Sequence, residues 1–277
     1  NPMNPLFNHY FFESIALLIK ATTSLPEFSN CYSRLESQLV PLLFGILQAE
    51  QSDFFPYAFQ LFALMTESNP QLPEYIKLLL PVLNQPVLWG VPCNTPALVR
   101  FLQACLSHPG ARELVLSSFE GFIPVFRLLL NSKANEGHAF TLISALFVAA
   151  PSAMVQQYLR PLLMLCLTRV QTQKSQRLCS SMLLFFSLLL AEDKISAAEL
   201  IQLLQQIQPC LYVMLMKSLF LPSLPIMAKH PDQLDRKCVV FGFGQLLVTL
   251  QPVMISNSIE QASLWTSSLG ELINVAC

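Results

Sequence analysis

The sequence predicts an all-α array of stacked helix pairs, and three observations carry that prediction. Of 277 residues, 53% are hydrophobic and only 12% are charged, about half the usual charged fraction of roughly 25%. Helices buried on several sides produce such a composition. Prolines number 20 and glycines 8, which suits capped and bent helices better than hairpin turns. The third observation is a phrase that returns along the chain: an apolar run with a proline near its middle. It stands as LVPLLFGIL at Pro41, LLPVLNQPVL at Pro81, FIPVFRLLL at Pro124, LRPLLMLCL at Pro161 and IQPCLYVML at Pro209. The intervals of 40, 43, 37 and 48 residues fall within the window of HEAT and armadillo repeats. The expected fold is therefore a HEAT-repeat α–α superhelix, a solenoid.

Each proline-centred first helix is followed by a polar break and then by a second amphipathic helix. The second helices are expected at 53–69, 96–106, 137–150, 175–191 and 234–251. Over 96–106, Leu98, Phe101, Leu102, Cys105 and Leu106 recur at i, i+3, i+4, i+7 and i+8, while Arg100, Gln103 and Ser107 fall elsewhere on the wheel. In the last second helix the core stripe is Val239, Phe243, Leu246, Leu247 and Leu250. Residues 5–22 read as a second helix without its first, and 256–277 as a first helix without its second. The array then has five complete pairs and a half pair at each end, in one domain over 1–277. Its units are 1–24 (half), 31–70, 72–109, 112–150, 152–192, 196–251 and 256–277 (half). Neither end shows the polar capping repeat with which a solenoid closes, so a slice of a longer array is expected.

The stretch 83–108, LNQPVLWGVPCNTPALVRFLQACLSH, shows how one pair turns. Pro81 removes one N–H donor and crowds the carbonyl of Lys77. Trp89-Gly90 are placed to end the first helix, and Thr95 is placed to cap the second with Pro96 in its first turn. Gly242 and Gly244 each cost about 1 kcal/mol against alanine in a helix, and both are expected where a neighbouring helix comes close. FGFG lacks the preceding strand and the lysine of a phosphate loop.

Several functions are argued against. A net charge of −1 and the absence of recognition signatures point away from nucleic acid. Uncharged stretches at 137–159, 178–191 and 238–259 raise a polytopic membrane protein as an alternative. The middle one falls short of about 20 apolar residues, and the others are broken by proline and polar side chains; no stable membrane insertion is expected. Cysteines 31, 93, 105, 166, 179, 210, 238 and 277 form no CxxC pair and read as reduced thiols. His9, His108, His138 and His230 are isolated, without metal-ligand spacing. No GxSxG, Walker A or HExxH motif occurs. The expectation is a protein-binding surface with no catalytic, cofactor or metal site.

Charge offers the candidate contacts. From Glu13 to Ile76 acids outnumber bases seven to two; from Arg127 to Arg177 bases outnumber acids six to one. Arg100, Lys174, Arg177, Arg236 and Lys237 lie on or just before second helices and are the expected partner-binding residues. The competing reading is that such bases bond carbonyls of the adjacent repeat.

Longer stretches carry a resemblance. NPMNPLFNHYFFESI, QPVLW followed by NTPALVRFLQACL, SKANEGHAF, and the IQP–helix–LP segment resemble the C-terminal third, short of the final repeat, of exportins in the importin-β (karyopherin) superfamily. The resemblance implies a nuclear transport receptor that binds importin-α as cargo together with Ran-GTP. It also implies contact with FG-repeat nucleoporins and shuttling between nucleus and cytoplasm. A generic HEAT-repeat scaffold is the alternative. No motif in the resemblance assigns individual contacts to numbered positions.

Overall fold

In the computed structural model residues 4–276 are described, apart from the side chains at 26, 29 and 30. Residues 1–3 of the opening motif and the eighth cysteine, Cys277, lie outside. All regular structure among the described residues is helical, and the chain divides into two compact units, Asn1–Leu129 and Leu130–Cys277.

In the first unit, α1 (Pro5–Ser24) starts where Asn4 Oδ1 accepts from Phe7 N at 3.0 Å and Pro5 enters the first turn. Helix α2 (Ser29–Gln48) keeps Pro41 inside it. It closes with Gln51 N on Ile46 O and Glu50 at φ 51°, a left-handed position usually given to glycine. Then come α3 (Phe55–Ser68), α4 (Glu74–Leu83, with Pro81 inside) and the single turn α5 (Pro86–Trp89). They are followed by α6 (Thr95–Ser107), α7 (Pro109–Ser117) and α8 (Phe122–Leu130). Helices α3 and α6 are the expected second helices and pack side by side. All five residues of the 96–106 stripe are buried, whereas Arg100, Gln103 and Ser107 are exposed.

The turn at 83–95 differs from expectation in two respects. The first helix stops at Leu83, and Trp89 belongs to a separate turn. Its buried indole donates from Nε1 to Leu83 O at 2.8 Å, which satisfies a carbonyl that the helix end leaves open. Thr95 is not the cap. The helix starts at Thr95 itself, which leaves Asn94 at the N-cap position; the Asn94 amide donates to Leu88 O at 3.3 Å, and Thr95 Oγ1 is buried without a partner.

The second unit holds α9 (Glu136–Ala149), α10 (Ser152–Thr172, with Pro161 inside) and α11 (Gln176–Ala191). Helix α12 (Ala197–Ile207) follows. It opens on a capping box in which Glu199 N donates to Ser196 Oγ and Ser196 N to Glu199 Oε2. The Ser196 backbone N–H and then its hydroxyl hold the Glu199 carboxyl below its ordinary range. The phrase at Pro209 is not a bent helix. Gln208–Cys210 is a turn, with Cys210 at φ 59°, although Pro41, Pro81 and Pro161, which lack the same N–H, stay inside their helices. Beyond it α13 (Leu211–Leu215) runs through a π-helical turn at Met216–Phe220 into α14 (Leu221–Ala228). Two long helices finish the unit: α15 (Gln233–Asn257) and α16 (Ile259–Ala276).

The two glycines of α15 separate cleanly. A Cβ at Gly242 would overlap the backbone carbonyl of Ser187 in α11, so here the missing side chain lets two helix backbones meet. At Gly244 the nearest atom would be Leu272 Cδ2 at 3.8 Å, an ordinary contact. Close approach does not explain Gly244, contrary to expectation. Gly242→Ala should therefore destabilise by about 1–3 kcal/mol or more, since backbone must move. Gly244→Ala should be neutral or stabilising by up to about 1 kcal/mol. Urea unfolding of both variants checks this; equal losses would place the α11–α15 contact elsewhere.

Candidate partner-binding surface

The polar centre of the second unit is a buried carboxylate, the lone acid of the basic stretch from Arg127 to Arg177. Glu136, the first residue of α9, has no solvent exposure. Its Oε1 accepts from Arg169 Nη2 at 3.0 Å and its Oε2 from Ser175 Oγ at 2.5 Å. Arg169, itself buried near the end of α10, also donates from Nη1 to Gln173 Oε1 at 2.7 Å. Ser175 caps α11 by accepting from Leu178 N at 2.9 Å. One carboxylate thus ties the start of α9, the end of α10 and the start of α11. A group this buried needs such partners, because desolvating a carboxylate costs several kcal/mol.

The five bases expected to face a partner surround different structures. Lys174 Nζ donates to Ser218 O at 2.6 Å. Pro222, four residues on, has no N–H to offer that carbonyl, and the lysine takes its place. Arg236 Nη1 donates to His230 O at 3.1 Å across the turn before α15. Arg100 pairs with Glu67 Oε2 at 3.3 Å, half-exposed on both sides, and borders a groove of about 230 Å³ with Glu13, Lys20 and Tyr57. Arg177 is exposed, and its guanidinium lies over Gly137, with Nη2 2.6 Å from where a Cβ would be. Lys237 is exposed on the first turns of α15. Among the described residues, neither side chain makes a hydrogen bond or ion pair.

The histidines have structural surroundings. His108 caps α7, its Nδ1 accepting from Ala111 N at 3.4 Å and its Nε2 facing Asn69 O at 3.1 Å. This assigns the proton to Nε2. His138 is half-buried, and desolvation followed by the charge of Arg177 holds its pKa below the ordinary value. Among the described residues no group of three or more His, Cys, Asp or Glu could hold a metal. Leu211–Ala228 and Gln233–Asn257 are long and apolar enough to cross a membrane by length and composition alone. Lys217 in the first is paired with Glu260 at 2.8 Å, and the buried residues of the second pack against α11 and α16.

Two measurements test this geometry. Arg169→Met should cost about 3–5 kcal/mol by stranding the Glu136 carboxylate, and Glu136→Leu/Arg169→Met should be less destabilised than that single change. Denaturant titration decides; additive losses would deny the pairing. Arg177→Gln should raise the His138 pKa toward its ordinary value, read from ring proton shifts. No change would move the guanidinium away from α9.

Comparison with known proteins agrees with this architecture. The family described as CAS/CSE protein, C-terminus, matches residues 1–276. Exportin-2 of Drosophila melanogaster is 33% identical over 278 residues, and Exportin-2 of Homo sapiens 32% over 279. Each alignment covers 99% of this chain and 28% of the relative. The exportin Cse1 in its cargo-free, cytoplasmic state has the same fold, with TM-score 0.79 at 24% identity, covering all of this chain and 28% of that one. The chain spans little more than a quarter of the length of these relatives, and its similarity runs almost end to end. It belongs to the CAS/CSE family and corresponds to that family's C-terminal region.

Proposed function

We propose that this chain works as part of an exportin that binds importin-α together with Ran-GTP and returns importin-α from the nucleus to the cytoplasm. The observation that carries the reading is the similarity over 99% of the chain to proteins named Exportin-2. Contact with FG-repeat nucleoporins and shuttling through the pore belong to the same proposal. The chain's share is a helical surface that meets its partners through side chains. Among the five candidate bases, Lys174, Arg236 and Arg100 have internal partners. Arg177 and Lys237 have none, which supports assigning the partner contacts to them.

Capture of importin-α by a receptor carrying this chain, with and without Ran-GTP, tests the function. Ran-GTP-dependent capture is expected; capture of neither protein would leave only a generic helical scaffold. In the same receptor Arg177→Glu/Lys237→Glu should weaken the complex about three- to tenfold, mainly through the on-rate. The loss should shrink near 1 M salt, where the Debye length falls to about 3 Å. Lys174→Glu should instead lower the melting temperature and leave affinity intact. The opposite pattern would return the contact to Lys174.

A further inference from the structure

Arg177 stands where the fold disfavours a cation. It is the second residue of α11, and its guanidinium lies over Gly137, the second residue of α9. Both places are helix N-termini, whose partial positive charge works against a positive side chain. Glu136, beside Gly137 in sequence, does not compensate: its carboxylate is buried, with one oxygen on Arg169 and the other on Ser175. Lys174, three residues before Arg177, is exposed and bonded to a backbone carbonyl, so its charge is not neutralised either. A local choice that costs the fold, with no acid among the described residues pairing with it, is expected where binding makes use of it.

Gly137 is what leaves room for that arginine. A Cβ there would stand 2.6 Å from Nη2, 2.8 Å from Nε and 3.0 Å from Cζ of Arg177, well inside the optimal contact of about 3.5–4.0 Å. These three nearest atoms all belong to one exposed, flexible side chain, whereas at Gly242 the obstacle is the backbone of another helix. Gly137 has no positive φ that would call for glycine, and glycine in a helix has a cost. We propose that Gly137 is a positioning residue: its missing side chain lets the Arg177 guanidinium lie over the first turn of α9, where it meets a carboxylate of the partner protein. The planar fork of arginine matches a carboxylate with two parallel N–H bonds, and a protein partner supplies that group as aspartate or glutamate. The inference rests on the function proposed above and adds to it the residue that sets the arginine's place and the chemistry it meets. His138, next along α9, reports that place, because desolvation and then the Arg177 charge hold its pKa down.

The experiment is a double-mutant cycle on Ran-GTP-dependent capture of importin-α by the receptor carrying this chain, with Gly137→Ala, Arg177→Gln and both together. Arg177→Gln should weaken capture about two- to fivefold, the range of an exposed charge contact. Gly137→Ala should reproduce most of that loss, and the double variant should lose no more than Arg177→Gln alone. Gly137→Ala should leave the circular dichroism unchanged and the melting temperature unchanged or raised, since alanine is the better helix former. In the same variant His138, read from its ring proton shifts, should titrate higher as the guanidinium moves off. Losses that add in the double variant, or a lower melting temperature with Gly137→Ala, would overturn the proposal by making the glycine structural. So would full capture with Gly137→Ala where Arg177→Gln weakens it. Full capture with Arg177→Gln would remove that residue from the contacts and this inference with it, and would leave the exportin function standing. That function fails on a different result, the absence of capture by the unmodified receptor.

Discussion

Lateral stacking of neighbouring helices is the constraint on which everything else in this chain depends. No helix here can bury its apolar surface alone or with only its sequence neighbour, and the aromatic contacts show where the burial is completed. In the first unit Phe59 and Phe62 of α3 lie 5.9 and 6.1 Å from Phe101 of α6, and Phe62 lies 5.1 Å from Tyr75 of α4. In the second, Phe147 of α9 meets Phe185 of α11 edge-on, Phe186 meets Phe220 of the π-turn, and Phe220 meets Phe243 of α15. Each ring is shared by two elements that are distant in sequence. Low charge content follows, because a helix covered on two or three sides has little room for ionised groups.

The same stacking governs the polar groups. Prolines inside helices remove N–H donors and leave carbonyls open, and bases at turns answer them. Lys174 on Ser218 O spans 44 residues, as does Lys194 Nζ on Ala150 O at 2.9 Å. These separations are close to the repeat interval, so such lysines join successive pairs. A base at a helix start in this fold is therefore ambiguous as a sign of binding. What sets Arg177 and Lys237 apart from the other candidates is that, among the described residues, neither side chain has a hydrogen-bond or ion-pair partner.

Glu136 stands at the other extreme. Its carboxylate is fully withdrawn from water, and its partners Arg169 and Ser175 come from the two following helices. Breaking such a pair costs more than the pair contributes, so it acts as a register pin: the Glu136 carboxylate finds its partners only when α9, α10 and the cap of α11 come together. Arg177, the second residue of α11, lies over Gly137 beside this corner. Gly242 does the equivalent for apolar packing, fixing how near α15 comes to α11.

By itself the sequence determined the helical class, the repeat interval, most second helices and their buried faces. These follow from local periodicity, and Leu98, Phe101 and Leu102 are buried for the reason the wheel implies. Family resemblance was equally legible, since it rests on contiguous phrases such as QPVLW and SKANEGHAF. Pro209 looked like the other mid-helix prolines, but the turn at Cys210 depends on how α12 and α13 pack, which one local phrase does not encode. Tertiary structure alone decided which glycine touches a neighbour, which bases are occupied, and that Glu136 is buried. It also decided that Leu234, Phe241, Val248 and Ile255 face away from the core. An apolar residue on a helix does not by itself say which face is covered; that is set by where the neighbouring helices lie.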